Sequence, residues 1–274
     1  MCGGSKDTEC SPRNFLFSNT AAWRLYSPEN VNSKSVRVFY LVWRWFWALL
    51  FLATYILSIV NNISEGPKWL IYLTNWAYTV FNASQLTNAV VSTICFASKA
   101  EPEEMRFYMK LNWFLYELSQ AAAVVITILY WALLFDPNDL SSVQVHTYFN
   151  HGVNGAFVLI DIWVTAMPIK ALHFYIPTAF GLTWAIFALI YDFVGGTNGR
   201  NEPYIYQIFD WTAGATMPAI ATVAAIAVAI IVHFILFGFF HLRVYLYSRC
   251  SANTLAPIDG NSNPKYNSVE MVER

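Results

Sequence analysis

Six apolar runs, near residues 38–60, 69–97, 111–135, 147–167, 175–194 and 212–240, leave only short polar connections between them. A helix needs about 20 residues to cross the hydrocarbon core of a bilayer, and each run supplies roughly that many. In lipid every backbone N–H and C=O must be satisfied within the segment, which a helix achieves alone. Charged residues are 12% of the chain and apolar residues 57%, against about 25% charged in ordinary globular domains. The expected fold is all-α, a polytopic transmembrane helix bundle of six spans. An N-terminal segment at 1–37 precedes the helical domain at 38–240, and a disordered tail occupies 241–274. From Ser251 that tail is rich in Ser, Asn and Pro, a composition that builds no core. The fifth run is the weakest, bounded by Pro177 and by the turn sequence Gly195-Gly196-Thr197-Asn198-Gly199.

Orientation follows from basic residues near the span ends. Of the 16 Lys and Arg residues, only Lys68 and Arg200 fall in loops on one side, and Arg44 lies within the first span. The rest share the other side, so both termini are expected in the cytoplasm. A net charge of −1 offers nothing to nucleic acid. The four cysteines have no metal spacing and imply no disulfide framework. Cys2, Cys10 and Cys250 flank the membrane region, where thiols are candidates for palmitoylation. Asn62-Ile63-Ser64 is a sequon in the first outer loop, which makes Asn62 a glycosylation candidate. The tryptophans Trp43, Trp45 and Trp47 read as an interfacial belt.

Polar groups inside the runs are expensive and usually face a bundle interior or a wet cavity. In the fourth run His151, Asn154, Val158 and Asp161 share one helical face, and in the second Asn75, Thr79 and Asn82 share a stripe beside Thr74. The expected polar seam therefore includes Asn75, Asn154 and Asp161. Arg44, Glu117 and Asp161 form an intramembrane charge set toward the cytoplasmic side, where mutual pairing would lock the bundle. Thr74 with His151 is the candidate catalytic pair, since a threonine nucleophile needs a base within reach. No zinc pattern, P-loop, dinucleotide fingerprint or serine elbow occurs, so no cofactor and no metal are expected. A transporter would need a continuous polar pathway and usually repeat symmetry. Only Pro168, Pro177 and Pro218 hint at broken helices. The small-residue stretch from Thr216 to Ile230 suits close helix packing.

The stretch NHGVNGAFVLIDIWVTAMPIKALHFYIP (Asn150 to Pro177), with IYDFVGGTNGRNEPYIYQIFDW (Ile190 to Trp211), resembles the rolling stone family from about Trp23 to Tyr247. That resemblance implies a multi-pass plasma-membrane protein acting in myoblast fusion during muscle development, without catalysis. Its partners would be membrane lipids and proteins of the fusion machinery. A more distant similarity reaches the androgen-induced membrane hydrolases, which cleave lipid esters with an intramembrane threonine and histidine. Their threonine falls in a stretch matched here by YLTN, and so by Thr74. Their histidine ends the pattern NHGxH, where this chain reads NHGVN and has Asn154. A neutral amide has no useful basicity, so in this alternative reading His151 serves as the base.

Overall fold

The computed structural model describes residues 12–17, 25–26, 34–98, 104–138 and 144–254. Among these residues seven α-helices run in order: α1 (Lys34–Asn61), α2 (Leu73–Ala97), α3 (Phe107–Leu129), α4 (Val145–Tyr148), α5 (Asn154–Val164), α6 (Tyr175–Phe193) and α7 (Thr216–Thr254). No β-strand occurs among the described residues. α3 ends in a π-helical turn at Tyr130–Leu134, and a second π-helical turn, Phe149–Val153, joins α4 to α5. The two turns meet. Trp131 Nε1 donates to the His151 carbonyl at 2.5 Å, and the Tyr130 and His151 rings stack with centroids 3.8 Å apart.

Among the described residues four stretches are long and apolar enough to cross a membrane: Lys34–Asn61, Phe107–Leu134, Ala171–Phe193 and Thr216–Arg249. The expected runs at 69–97 and 147–167 also fold as helix without reaching that standard among the described residues. α2 is diluted by Thr74, Asn75, Asn82, Ser84, Gln85, Asn88 and Ser92, all of them buried. α5 is cut short by the π turn ahead of it and by the extended backbone at Thr165. α2 packs most extensively on α3 and then on α1, so its polar side faces protein.

An aromatic cluster ties these helices together. Phe51 of α1 meets Trp47, Phe81 of α2, Phe149 of the π-helical turn and Phe157 of α5, with ring centroids 4.8–6.1 Å apart. Trp43 and Trp47 pack against this core, which departs from the interfacial belt expected of them. Amphipathic rings serve either environment, and here the neighbouring Phe157 holds both tryptophans inward. α3 and α5 touch through a glycine. A Cβ at Gly155 would stand 2.5 Å from Thr127 Oγ1, so only glycine permits this approach.

The expected tail boundary at 240 falls inside α7, which continues to Thr254. The extension is anchored. Arg243 Nη1 donates to the carbonyls of Ile162 and Thr165 at the C-terminal end of α5, where the helix dipole favours a cation. Tyr247 OH reaches the Trp163 carbonyl at 3.3 Å. Segments 1–11 and 255–274, including Cys2 and Cys10, lie outside the described residues.

Candidate functional site

The intramembrane charges divide into two centres. Arg44 of α1 is 1% exposed and Asp161 of α5 is fully enclosed; Arg44 Nη1 donates to Asp161 Oδ1 at 2.7 Å. Trp43 Nε1 donates to the same oxygen at 3.4 Å, and the guanidinium lies over the Tyr40 ring at 4.8 Å. A buried charge without its partner is far more costly than the pair, so the pair fixes the register of α1 against α5.

Glu117 of α3, which the sequence groups with Arg44 and Asp161, is bonded elsewhere. Its Oε2 lies 2.5 Å from His173 Nδ1, and its Oε1 accepts from Trp113 Nε1 at 3.0 Å and from the Lys170 backbone N–H at 3.2 Å. Lys170 Nζ sits over the Trp113 ring at 4.9 Å, and His233 of α7 approaches the Lys170 carbonyl at 3.0 Å. The 3-10 turn Ala171–Phe174 delivers His173 to this place. His173, Lys170, Trp113 and His233 are missed by spacing arguments, because they come from three different segments. The signal that could find them is residue type: a buried carboxylate in the middle of α3 needs donors, and Lys170 and His173 stand together in the connection before α6.

Thr74, His151 and Asn154 have separate partners. Thr74 opens α2 and lies against Tyr206 of the α6–α7 connection. The His151 ring is held on Tyr130, and its Nδ1 is buried with no hydrogen-bond partner. Asn154 is spent on packing. Its Oδ1 accepts from Thr127 Oγ1 at 3.3 Å and from the Gly155 N–H at 2.8 Å, and its Nδ2 donates to the Asn150 carbonyl at 2.8 Å. Asn75 reaches back along the chain, donating to the Trp69 carbonyl at 2.6 Å, while Asn82 bonds back to Tyr78. Asn62 Nδ2, the atom a glycan would take, donates to the Ser58 carbonyl at 2.7 Å.

An apolar cavity of about 420 Å³ opens between α2, α3, α6 and α7. Its wall includes Ala122, Trp184, Ala221 and Ala225, with Thr74 and Tyr206 among its few polar groups. The alanines of α7 read in sequence as a close-packing face; here their small size makes room instead. That volume lies within the range of small-molecule sites, about 300–1,000 Å³. Beyond the cavity, the α6–α7 connection is clamped to the α1–α2 connection. Lys68 Nζ donates to Thr197 Oγ1 (2.8 Å), the Asn198 carbonyl (2.8 Å) and Asn201 Oδ1 (3.0 Å). In the same connection the Thr212 hydroxyl and the Ala213 N–H hold the Asp210 carboxyl below its ordinary pKa.

A sequence model of the family described as Protein rolling stone matches residues 2–258. Protein rolling stone of Drosophila melanogaster is 29% identical over 222 residues, which cover 76% of this chain and 78% of the fly protein. No solved structure matches. The chain belongs to the rolling stone family.

Proposed function

We propose that this chain is a six-span plasma-membrane protein, with both termini in the cytoplasm, that acts in myoblast fusion without catalysis. Family membership supports the membrane setting, and the resemblance of the Asn150–Trp211 region supports the fusion role. The observation that carries the non-catalytic part is the state of Asn154. At the position where a hydrolase would keep a base, its amide is engaged with Thr127 and Gly155 of the α3–α5 contact. Membrane lipids and proteins of the fusion machinery are the proposed partners, the latter recruited through the cytoplasmic ends. Myoblasts lacking the protein should differentiate yet stay mononucleate; normal myotubes would overturn the role.

The topology has its own test. Basic residues crowd one side, leaving Lys68 and Arg200 on the other. Tags at either terminus should be reachable by antibody only after permeabilisation. An outward C-terminal tag would remove one span, with the 69–97 and 147–167 runs the first to re-examine.

A second reading, hydrolysis of lipid esters with Thr74 as nucleophile and His151 as base, is favoured by one observation: Thr74 lines the apolar cavity. The proposed account expects no fluorophosphonate labelling of the natural protein above a Thr74→Val control. It also expects Asn154→His to gain none, because Thr74 and residue 154 have different neighbours. General-base help is worth about 10²–10⁴-fold, so a restored pair would be plain in such an assay. Labelling that vanishes in Thr74→Val would establish the enzyme reading.

A further inference from the structure

The α2–α3 interface buries more hydrogen-bonding capacity than it uses. Ser84, Gln85, Asn88 and Ser92 of α2 and Asn112, Tyr116 and Gln120 of α3 are each at most 1% exposed. No hydrogen bond reaches Ser84 Oγ, Gln85 Nε2, either amide atom of Asn88, Ser92 Oγ, Asn112 Oδ1, the Tyr116 hydroxyl or either amide atom of Gln120. Folded proteins leave only a few buried polar groups unsatisfied per 100 residues, and each costs about 1–3 kcal/mol when dry. Such a concentration along one helix pair demands a ligand that both donates and accepts.

The register of the helices brings these atoms together. Asn112 Nδ2 donates to Thr87 Oγ1 at 2.8 Å, and Ala77 packs with Ala122 and Ile126. In the antiparallel register set by those contacts, Asn88 lies level with Asn112, and Ser84 and Gln85 lie level with Tyr116, with Ser92 and Gln120 about one turn beyond at either end. Trp45 Nε1 bonds Thr93 Oγ1 at 3.0 Å, which brings the turn of α1 that carries Arg44 to the Ser92 end of the seam. Arg44 Nε and Nη2 and Asp161 Oδ2 are themselves without partners. Tyr116 lies within electrostatic range of both members of that pair.

We propose that the α2–α3 seam is a hydrated chamber inside the bundle, where internal water bridges the two helices and ends on the Arg44–Asp161 pair. The lining selects water and similarly small neutral solutes. Its amides and hydroxyls present donors and acceptors together, and a buried water needs about 2–4 such partners. Inorganic cations are disfavoured because the Asp161 carboxylate is already paired with Arg44 and the rest of the lining is neutral. The polar composition of α2 then has a function, since a dry interface of these residues would destabilise the bundle.

X-ray radiolysis of the full chain in nanodiscs tests this directly, because bound water generates hydroxyl radicals in place and labels the side chains beside it. Tyr116 should be oxidised several-fold faster than Phe81 and Phe157, after correction for intrinsic reactivity, although all three are at most 1% exposed. Tyr116 labelling no faster than those two rings would overturn the chamber. The double variant Asn88→Leu with Gln120→Leu gives a second reading. Tyr116 labelling should fall and the thermal midpoint should not rise. A rise in midpoint would mean that the amides were dry and costly, and would overturn the proposal.

Discussion

Asp161→Leu is expected to lower the stability of the protein by about 3–5 kcal/mol, the cost of leaving one member of a buried ion pair alone. Arg44 is 1% exposed, and among the described residues its carboxylate partner is Asp161, Oδ1 at 2.7 Å, so its charge would be left with the Tyr40 ring face alone. The companion test is the double variant Arg44→Met with Asp161→Leu. Replacing both partners by apolar residues of similar volume is often neutral or better, so the double variant should recover most of the loss. Thermal unfolding in nanodiscs reads both. A single variant as stable as the natural protein would show that the pair does not hold α1 to α5.

Phe51→Ala is the second large effect, at about 3–5 kcal/mol for a fully buried ring. Phe51 is 0% exposed and its ring meets aromatic partners from α1, α2, the Phe149–Val153 turn and α5. Truncation would open a cavity at the point where four segments converge. Phe51→Leu keeps most of the volume and should cost less than about 1.5 kcal/mol. Equal losses for the two variants would mean that the site collapses around the smaller side chain.

The apolar runs locate most helices because burial of backbone in lipid leaves one solution. The run at 38–60 became Lys34–Asn61, and that at 175–194 became Tyr175–Phe193. The run at 69–97 begins later as helix, because Gly66 at φ 56° and Pro67 hold the preceding residues in a separate turn ending at Ile71. The two π turns have no local sequence signal, since each is fixed by the other through Trp131 and His151. The tail boundary failed for a related reason: Arg243 extends α7 by reaching carbonyls some 80 residues away, a tertiary contact.

Within the site, Arg44 and Asp161 were legible as charges that needed each other. Glu117 was grouped with them by depth alone, and its actual partner, His173, lies in a connection whose path depends on the turn after Pro168. Thr74 and His151 share a depth in sequence terms, yet Tyr206 meets one and Tyr130 the other. Helical periodicity gives a face and a height; it does not give the neighbour across the gap.

The most direct measurement is myotube formation by myoblasts lacking the protein and supplied with either the natural chain or Thr74→Val, at matched surface levels. Valine keeps the shape of threonine and removes the hydroxyl, so it abolishes any threonine nucleophile. Because it also removes the contact of that hydroxyl with Tyr206, a Tyr206→Phe chain serves as the control for that loss. The account predicts equal rescue of fusion by the natural chain and Thr74→Val. Rescue by the natural chain and the Tyr206→Phe control with none by Thr74→Val would contradict a non-catalytic role.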